Sequence, residues 1–134
     1  MQRRPKTKKM PGNKEKRTEL VVITETKRLI DYVFLITEKS PKKFRYSFIT
    51  KIHSLLIEII ELFYLANALD VIDEERSKKQ ELIKVKFKIL DYLCDLAYRE
   101  KCILFNQYTN ISQYINSCMK LLNGWMESDK KRKQ

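Results

Sequence analysis

Glycine and proline are scarce, with two glycines and three prolines in 134 residues. Sheet proteins draw heavily on Gly, Pro, Asn and Asp for their tight turns, so this supply excludes a many-stranded fold and leaves helices. Histidine occurs once, at His53, and cysteine three times, at Cys94, Cys102 and Cys118. Three cysteines make neither an even disulfide framework nor a Cys-x-x-Cys pair, and a reducing cytoplasm is the setting this implies. The basic N-terminus lacks the apolar stretch of a secretory signal. Long apolar runs are missing too: the longest segment, Leu55 to Leu69, is interrupted by Glu58 and Glu61, so no membrane span is expected.

What is present is basic charge and enough apolar residues for one core. Hydrophobic residues make up 43% of the chain and charged residues 34%, a balance that excludes disorder throughout. The length suits one domain with tails. The formal net charge is +11, of which residues 1–19 hold +6 and residues 127–134 hold +2. A surplus of this size points to a polyanionic partner, because Lys and Arg near phosphates release counterions and gain affinity without reading sequence.

Residues 1–17 mix like charges with Pro5, Pro11 and Gly12 and read as a disordered basic arm. Residues 18–127 read as a bundle. Thr18 is a plausible N-cap for a helix over about 18–39, with apolar positions Val22, Ile23, Leu29, Ile30, Val33 and Ile36. Ser40 and Pro41 then predict the start of a second helix over 41–69, with its stripe running from Phe44 through Phe48, Ile52, Leu55, Ile59, Leu62 and Phe63 to Ala66. A third helix over 73–101 is expected to bury Leu82, Val85, Ile89, Leu93, Leu96 and Ala97, with Ile83, Phe87, Leu90 and Cys94 flanking that stripe. A fourth over 106–127 carries Ile111, Ile115, Cys118, Leu122 and Trp125, followed by a basic tail at 128–134. Short connections force sequential helices to run antiparallel, so the expected fold is all-α: an antiparallel up-and-down four-helix bundle. The breadth of the apolar face on the third helix points to homo-oligomerisation, the other reading being that the flanking residues are edge positions of one core.

No constellation for catalysis stands out. A helical nuclease of the HEPN kind needs an arginine four to six residues ahead of a histidine, whereas Arg45 and His53 have seven residues between them. His53 lies beside the apolar face of the second helix and reads as a packing residue. Gly12 and Gly124 belong to no phosphate-binding loop. Cys94 and Cys118 fall on apolar faces as core thiols. The sequence therefore calls for no enzyme, cofactor or metal. Basic side chains are the candidates for binding: Lys42, Lys43 and Arg45 where the second helix begins, Lys51 two turns on, Lys84 and Lys88 one turn apart on the third helix, Arg99 and Lys101 at its close, and Lys120 opposite the fourth stripe. Helix N-terminal N–H groups would add to the first cluster's attraction for anions.

Three segments carry a family resemblance. Lys120-Leu121-Leu122-Asn123-Gly124-Trp125 resembles the C-terminal ending of the accessory variability determinant (Avd) proteins of diversity-generating retroelements. Ser40-Pro41-Lys42-Lys43-Phe44-Arg45-Tyr46 is similar to their turn between the first two helices, and Glu61 to Asn67 to the end of their second helix. The resemblance spans about residues 19–127 and implies a four-helix bundle assembled as a homopentameric barrel. Such a barrel would bind a reverse transcriptase and its template RNA, and possibly the cDNA, without catalysing anything itself. Gly124 would allow close backbone approach and Trp125 would anchor the last helix. Lys120 stands where that family is expected to carry arginine, and Asp91 and Asp95 lie in a region expected to be arginine-rich. Two further readings are a structural or ribosome-associated RNA-binding bundle without a reverse transcriptase, and a nuclease with an unfamiliar site.

Overall fold

A computed structural model describes residues 19–134, so the expected basic arm and the Thr18 cap lie outside the described residues. Within them the chain forms four helices and no strand: α1 Val21–Thr37, α2 Thr50–Ala68, α3 Glu74–Arg99 and α4 Phe105–Lys133. Each packs against its neighbours in the ring order α1, α2, α3, α4, closing with α4 on α1. This is the up-and-down arrangement that short connections impose.

The ends of the helices have local causes. Glu19, just before α1, accepts hydrogen bonds from Thr24 (3.1 Å), Lys27 (2.9 Å) and the Tyr64 hydroxyl (2.9 Å), which fasten the start of α1 to α2. The second helix does not begin at Pro41 as expected. A 3₁₀ turn at Lys42–Phe44 and a π-helical turn at Arg45–Ile49 precede the regular helix, which starts at Thr50. Asp73 caps α3 by accepting from the Glu75 N–H at 2.8 Å, and Glu74 and Glu75 complement the positive end of its dipole. The Gln107 side chain accepts from the Leu104 N–H at 2.9 Å where α4 begins. α4 runs on to Lys133, past the expected end near 127, and its last turn carries Lys130, Lys131, Arg132 and Lys133, the sign the C-terminal dipole favours.

The core is a single cluster contributed by all four helices. Phe63, Leu56, Ile59, Phe87, Leu90, Cys94, Cys118 and Leu122 have no exposed surface. The buried stripe of α3 is not the expected one. Ile83, Phe87, Leu90, Cys94 and Ala97 face the core, while Leu82, Val85 and Ile89 are 44%, 50% and 44% exposed. Leu93 and Leu96 are half-buried, so of the residues expected to pack Ala97 alone is fully inside. The rotation of α3 is fixed by what continues each stripe. The buried one extends in steps of three and four residues back through Gln80 and Arg76, both of which have partners on α4. Two buried threonines, Thr26 and Thr37, satisfy their hydroxyls on carbonyls one turn earlier, at Val22 (2.8 Å) and Val33 (2.7 Å).

Candidate nucleic-acid interface

The antiparallel ring gathers part of the basic set at one end of the bundle, where the α1–α2 and α3–α4 connections meet. A hydrogen bond between the Ser40 hydroxyl and the Cys102 thiol joins the two connections. Lys42 and Lys43 are exposed on the 3₁₀ turn, Lys51 is exposed on the first turn of α2, and Arg99 and Lys101 are exposed at the close of α3. The side chain of Arg45 lies outside the described residues. Because α2 proper starts at Thr50, its N-terminal dipole acts beside Lys51 rather than at Lys42 and Lys43, where it was expected.

The other candidates are elsewhere. Lys84 is half-buried and Lys88 exposed near the middle of α3. Asp91, seven residues on from Lys84 and so on the same face, accepts from Ser112 of α4 at 3.3 Å, which puts Lys84 on the flank toward α4. Lys120 is exposed on α4 beside a groove of about 370 Å³ with Glu25, Ser117 and Leu121. Three further side grooves of 420 to 500 Å³ are walled by Glu25, by Glu58, or by Asp31 and Glu38. Carboxylates in each wall make these grooves poor seats for phosphate.

Arg99 bonds Asp95 at 3.3 Å and lies 5.9 Å over the Tyr92 ring, and the hydrogen bond with Tyr92, together with that to Asp95, raises its pKa. Lys101 has φ of +63°, the left-handed region, and is the described non-glycine residue that adopts it. It occupies the position after the α3 cap, with its N–H on the Tyr98 carbonyl (2.9 Å) and the Cys102 N–H reaching back to the Ala97 carbonyl (2.7 Å). This Schellman closure normally takes glycine or asparagine. A lysine there costs about 1 kcal/mol and places a cation at the tip of the connection. Beyond it Leu104 and Phe105 are 64% and 61% exposed.

The opposite end holds a buried polar cluster that the sequence reading missed. Arg76 donates through Nε and Nη2 to the two carboxylate oxygens of Asp129 at 2.7 and 2.9 Å, and through Nη1 to the Leu69 carbonyl at 2.8 Å. Gln80 donates to the same carboxylate at 2.9 Å. The guanidinium lies 5.0 Å over the Trp125 ring, and Trp125 stacks on Phe63 at 6.0 Å. Burial alone would raise the Asp129 pKa, but the hydrogen bonds from Arg76 and Gln80 and the Arg76 charge outweigh it and hold the pKa below the usual carboxylate value. A signal for this cluster existed: Arg76 and Gln80 continue the spacing that ends in Ile83, and Asp129 continues Ile111, Ile115, Cys118, Leu122 and Trp125. Starting the third helix's stripe at Leu82, past Arg76 and Gln80, and placing Asp129 in a tail concealed it.

Residues 20–129 match the model of the bAvd-like family. The chain belongs to the bAvd-like family. No curated protein matched the chain in a search of that set. The matched span takes in all of α1, α2 and α3 and ends on Asp129, so this bAvd-like chain carries both partners of the buried ion pair inside the family region. Trp125, 9% exposed, packs within the chain itself. Gly124 is exposed, and no atom lies within 4 Å of where a Cβ would stand, so no close backbone approach occurs there within one chain. His53 stacks on Phe34 at 3.9 Å and shares a 2.8 Å hydrogen bond with Thr37, while burial lowers its pKa. Burial also raises the thiols of Cys94 and Cys118 to about 12 and about 11, which suppresses the reactive thiolate. Among the described residues no helix is long and apolar enough to cross a membrane.

Proposed function

We propose that this protein is a non-catalytic accessory subunit of a diversity-generating retroelement, acting in the cytoplasm, where it holds a reverse transcriptase and its template RNA together during mutagenic cDNA synthesis. The observation that carries the reading is the family match over residues 20–129. The gathering of Lys42, Lys43, Lys51, Arg99 and Lys101 at one end supports it, because a cluster of exposed cations grips phosphate backbone without reading bases. The chain assembles with copies of itself. The outer face of α3, with Leu82, Val85, Ile89 and the 58% exposed Tyr92, supports this, since exposed apolar patches of that kind mark contact surfaces. A pentamer follows from the family resemblance. In such a ring Lys84, Lys88 and Lys120 of successive copies add to one positive surface, and the open space at Gly124 admits a neighbouring chain.

Co-purification with a reverse transcriptase encoded beside this gene tests the partner, and recovery of the enzyme without this protein would remove the reading. RNA binding should fall with salt at a log–log slope of about −0.7 per phosphate engaged, so five engaged cations lose about a hundredfold between 50 and 200 mM salt. A flat salt dependence would exclude backbone gripping. The double variant Lys42→Glu with Lys43→Glu should lower RNA affinity at least tenfold while helicity by circular dichroism stays unchanged, and unaltered affinity would remove that turn from the interface.

A further inference from the structure

Five hydrophobic or aromatic groups converge at the α3–α4 corner in a way the backbone-gripping reading leaves unexplained. Tyr98 of α3 stacks nearly parallel on Tyr108 of α4, with centroids 5.9 Å apart and planes at 10°. Phe105 packs against Tyr98 at 5.4 Å and 55°, yet keeps 61% of its surface exposed. Leu104 beside it is 64% exposed and Tyr92, under Arg99, is 58% exposed. An exposed phenyl ring held against a half-buried tyrosine, itself stacked on a second, presents open surface to solvent.

The charges around it are mixed. Asp95 is paired with Arg99, whereas Asp91 keeps its charge under a hydrogen bond from Ser112, and Glu100 is exposed. The unneutralised attraction for phosphate comes from Lys101 on the same turn and Lys42 across the Ser40–Cys102 contact. Lys42 is two residues on from Ser40 and Phe105 three on from Cys102, so their Cα atoms lie within about 7 Å of the Ser40 Cα and about 11 Å of the Cys102 Cα. The strained left-handed backbone of Lys101 lies three residues on from Tyr98 of the aromatic pair. A glycine would relieve that strain but would carry no charge.

We propose that the α3–α4 corner is a base-stacking platform for single-stranded nucleic acid, on which Phe105, packed on Tyr98 of the stacked Tyr98–Tyr108 pair, takes the face of an unpaired base while Lys101 and Lys42 hold the flanking phosphates. The inference rests on the RNA-binding reading and narrows it from any phosphate backbone to strands with unpaired bases. Stacking tolerates every base because each has a π-face, and it supplies the affinity that the mixed charges at this corner do not.

The test compares a labelled single-stranded oligouridylate with an RNA duplex of equal length, measured by fluorescence anisotropy on the full chain. Phe105→Ala and Phe105→Leu should each weaken the single strand about 5- to 100-fold, leave the duplex unchanged and leave the salt slope unchanged, because no phosphate contact is removed. Phe105→Trp should retain single-strand affinity, and its new exposed indole should be quenched on binding. Several results would overturn the platform: unchanged single-strand affinity in the alanine variant, equal loss on both ligands, or wild-type affinity in the leucine variant, which would reveal generic apolar contact. Loss of reverse transcriptase capture with single-strand affinity intact would assign Phe105 to a protein contact, and a changed assembly mass would assign it to the subunit interface; either sinks the proposal. Steep salt dependence with no effect at Phe105 removes the platform alone, whereas no binding of either ligand by the wild type removes the RNA-binding reading as well.

Discussion

One end of the bundle holds a buried, fully paired charge cluster beneath its exposed charges, and at the other the charged groups are exposed on irregular backbone. The Arg76–Asp129–Gln80 cluster has side chains 8% and 4% exposed at its ion pair, and every donor drawn on finds an acceptor. The far end carries a π-helical turn, a left-handed lysine and an exposed phenylalanine within two connections. Buried charge is tolerated where pairing is complete, because the partners restore what desolvation removes. Strained or exposed groups persist where something other than stability keeps them. The contrast separates an end that fixes helix register from an end available for contact.

The largest expected effect breaks the paired end. Asp129→Ala leaves the Arg76 guanidinium buried without its partner and should cost about 3–5 kcal/mol in urea unfolding. Replacing the cluster as a whole, Arg76→Met with Gln80→Leu and Asp129→Leu, should recover about 2 kcal/mol or more of that loss, since no charge then remains buried alone. A triple variant as unstable as Asp129→Ala would mean that the cluster contributes packing rather than charge pairing.

Acid should loosen the same end first. The folded pKa of Asp129 lies below its ordinary 3.8, so its contribution is present in full above that value and is lost as pH falls through the depressed folded value. Unfolding followed from pH 6 downward should show a component below about pH 4 that is absent in the triple variant. An identical acid profile in both proteins would exclude Asp129 as its source.

At the irregular end the expected changes are smaller and of opposite sign. Lys101→Gly removes the strained backbone and should stabilise the protein by about 0.5–1 kcal/mol while weakening RNA binding. Destabilisation, or unchanged RNA affinity, would show that the lysine is not held there for its charge. Comparable in size but at the paired end, beside Trp125 on α4, Gly124→Ala should raise stability by up to about 1 kcal/mol in a dissociated chain, because a helical alanine is favoured and the space is open. Lower assembly mass in that variant would place Gly124 in a subunit contact.

Much of the fold was readable in the residues. The few glycines and prolines, the stripes of α1, α2 and α4, and the acidic start of α3 at Asp73–Glu75 each led to the element observed. The candidate interface was readable only as a list of cations. Periodicity says which residues share a helix face, but the placing of Lys42 and Lys101 at one end, and the exclusion of Lys84, Lys88 and Lys120 from it, depends on how distant segments pack.

By itself the sequence determined that the chain is helical, how many helices it makes, and that its surplus charge is positive. Those properties follow from local spacing, turn chemistry and composition, which act within a few residues. Tertiary structure alone decided which of two apolar stripes on α3 is buried. Both have helical spacing and both are greasy enough; the choice falls to Ile83, Phe87, Leu90 and Cys94 because Arg76 and Gln80 on the same line meet Asp129 on α4. A rotation that buried Leu82, Val85 and Ile89 instead would break that pairing, and the cost of unpaired charge in the core exceeds what the exchanged side chains differ by.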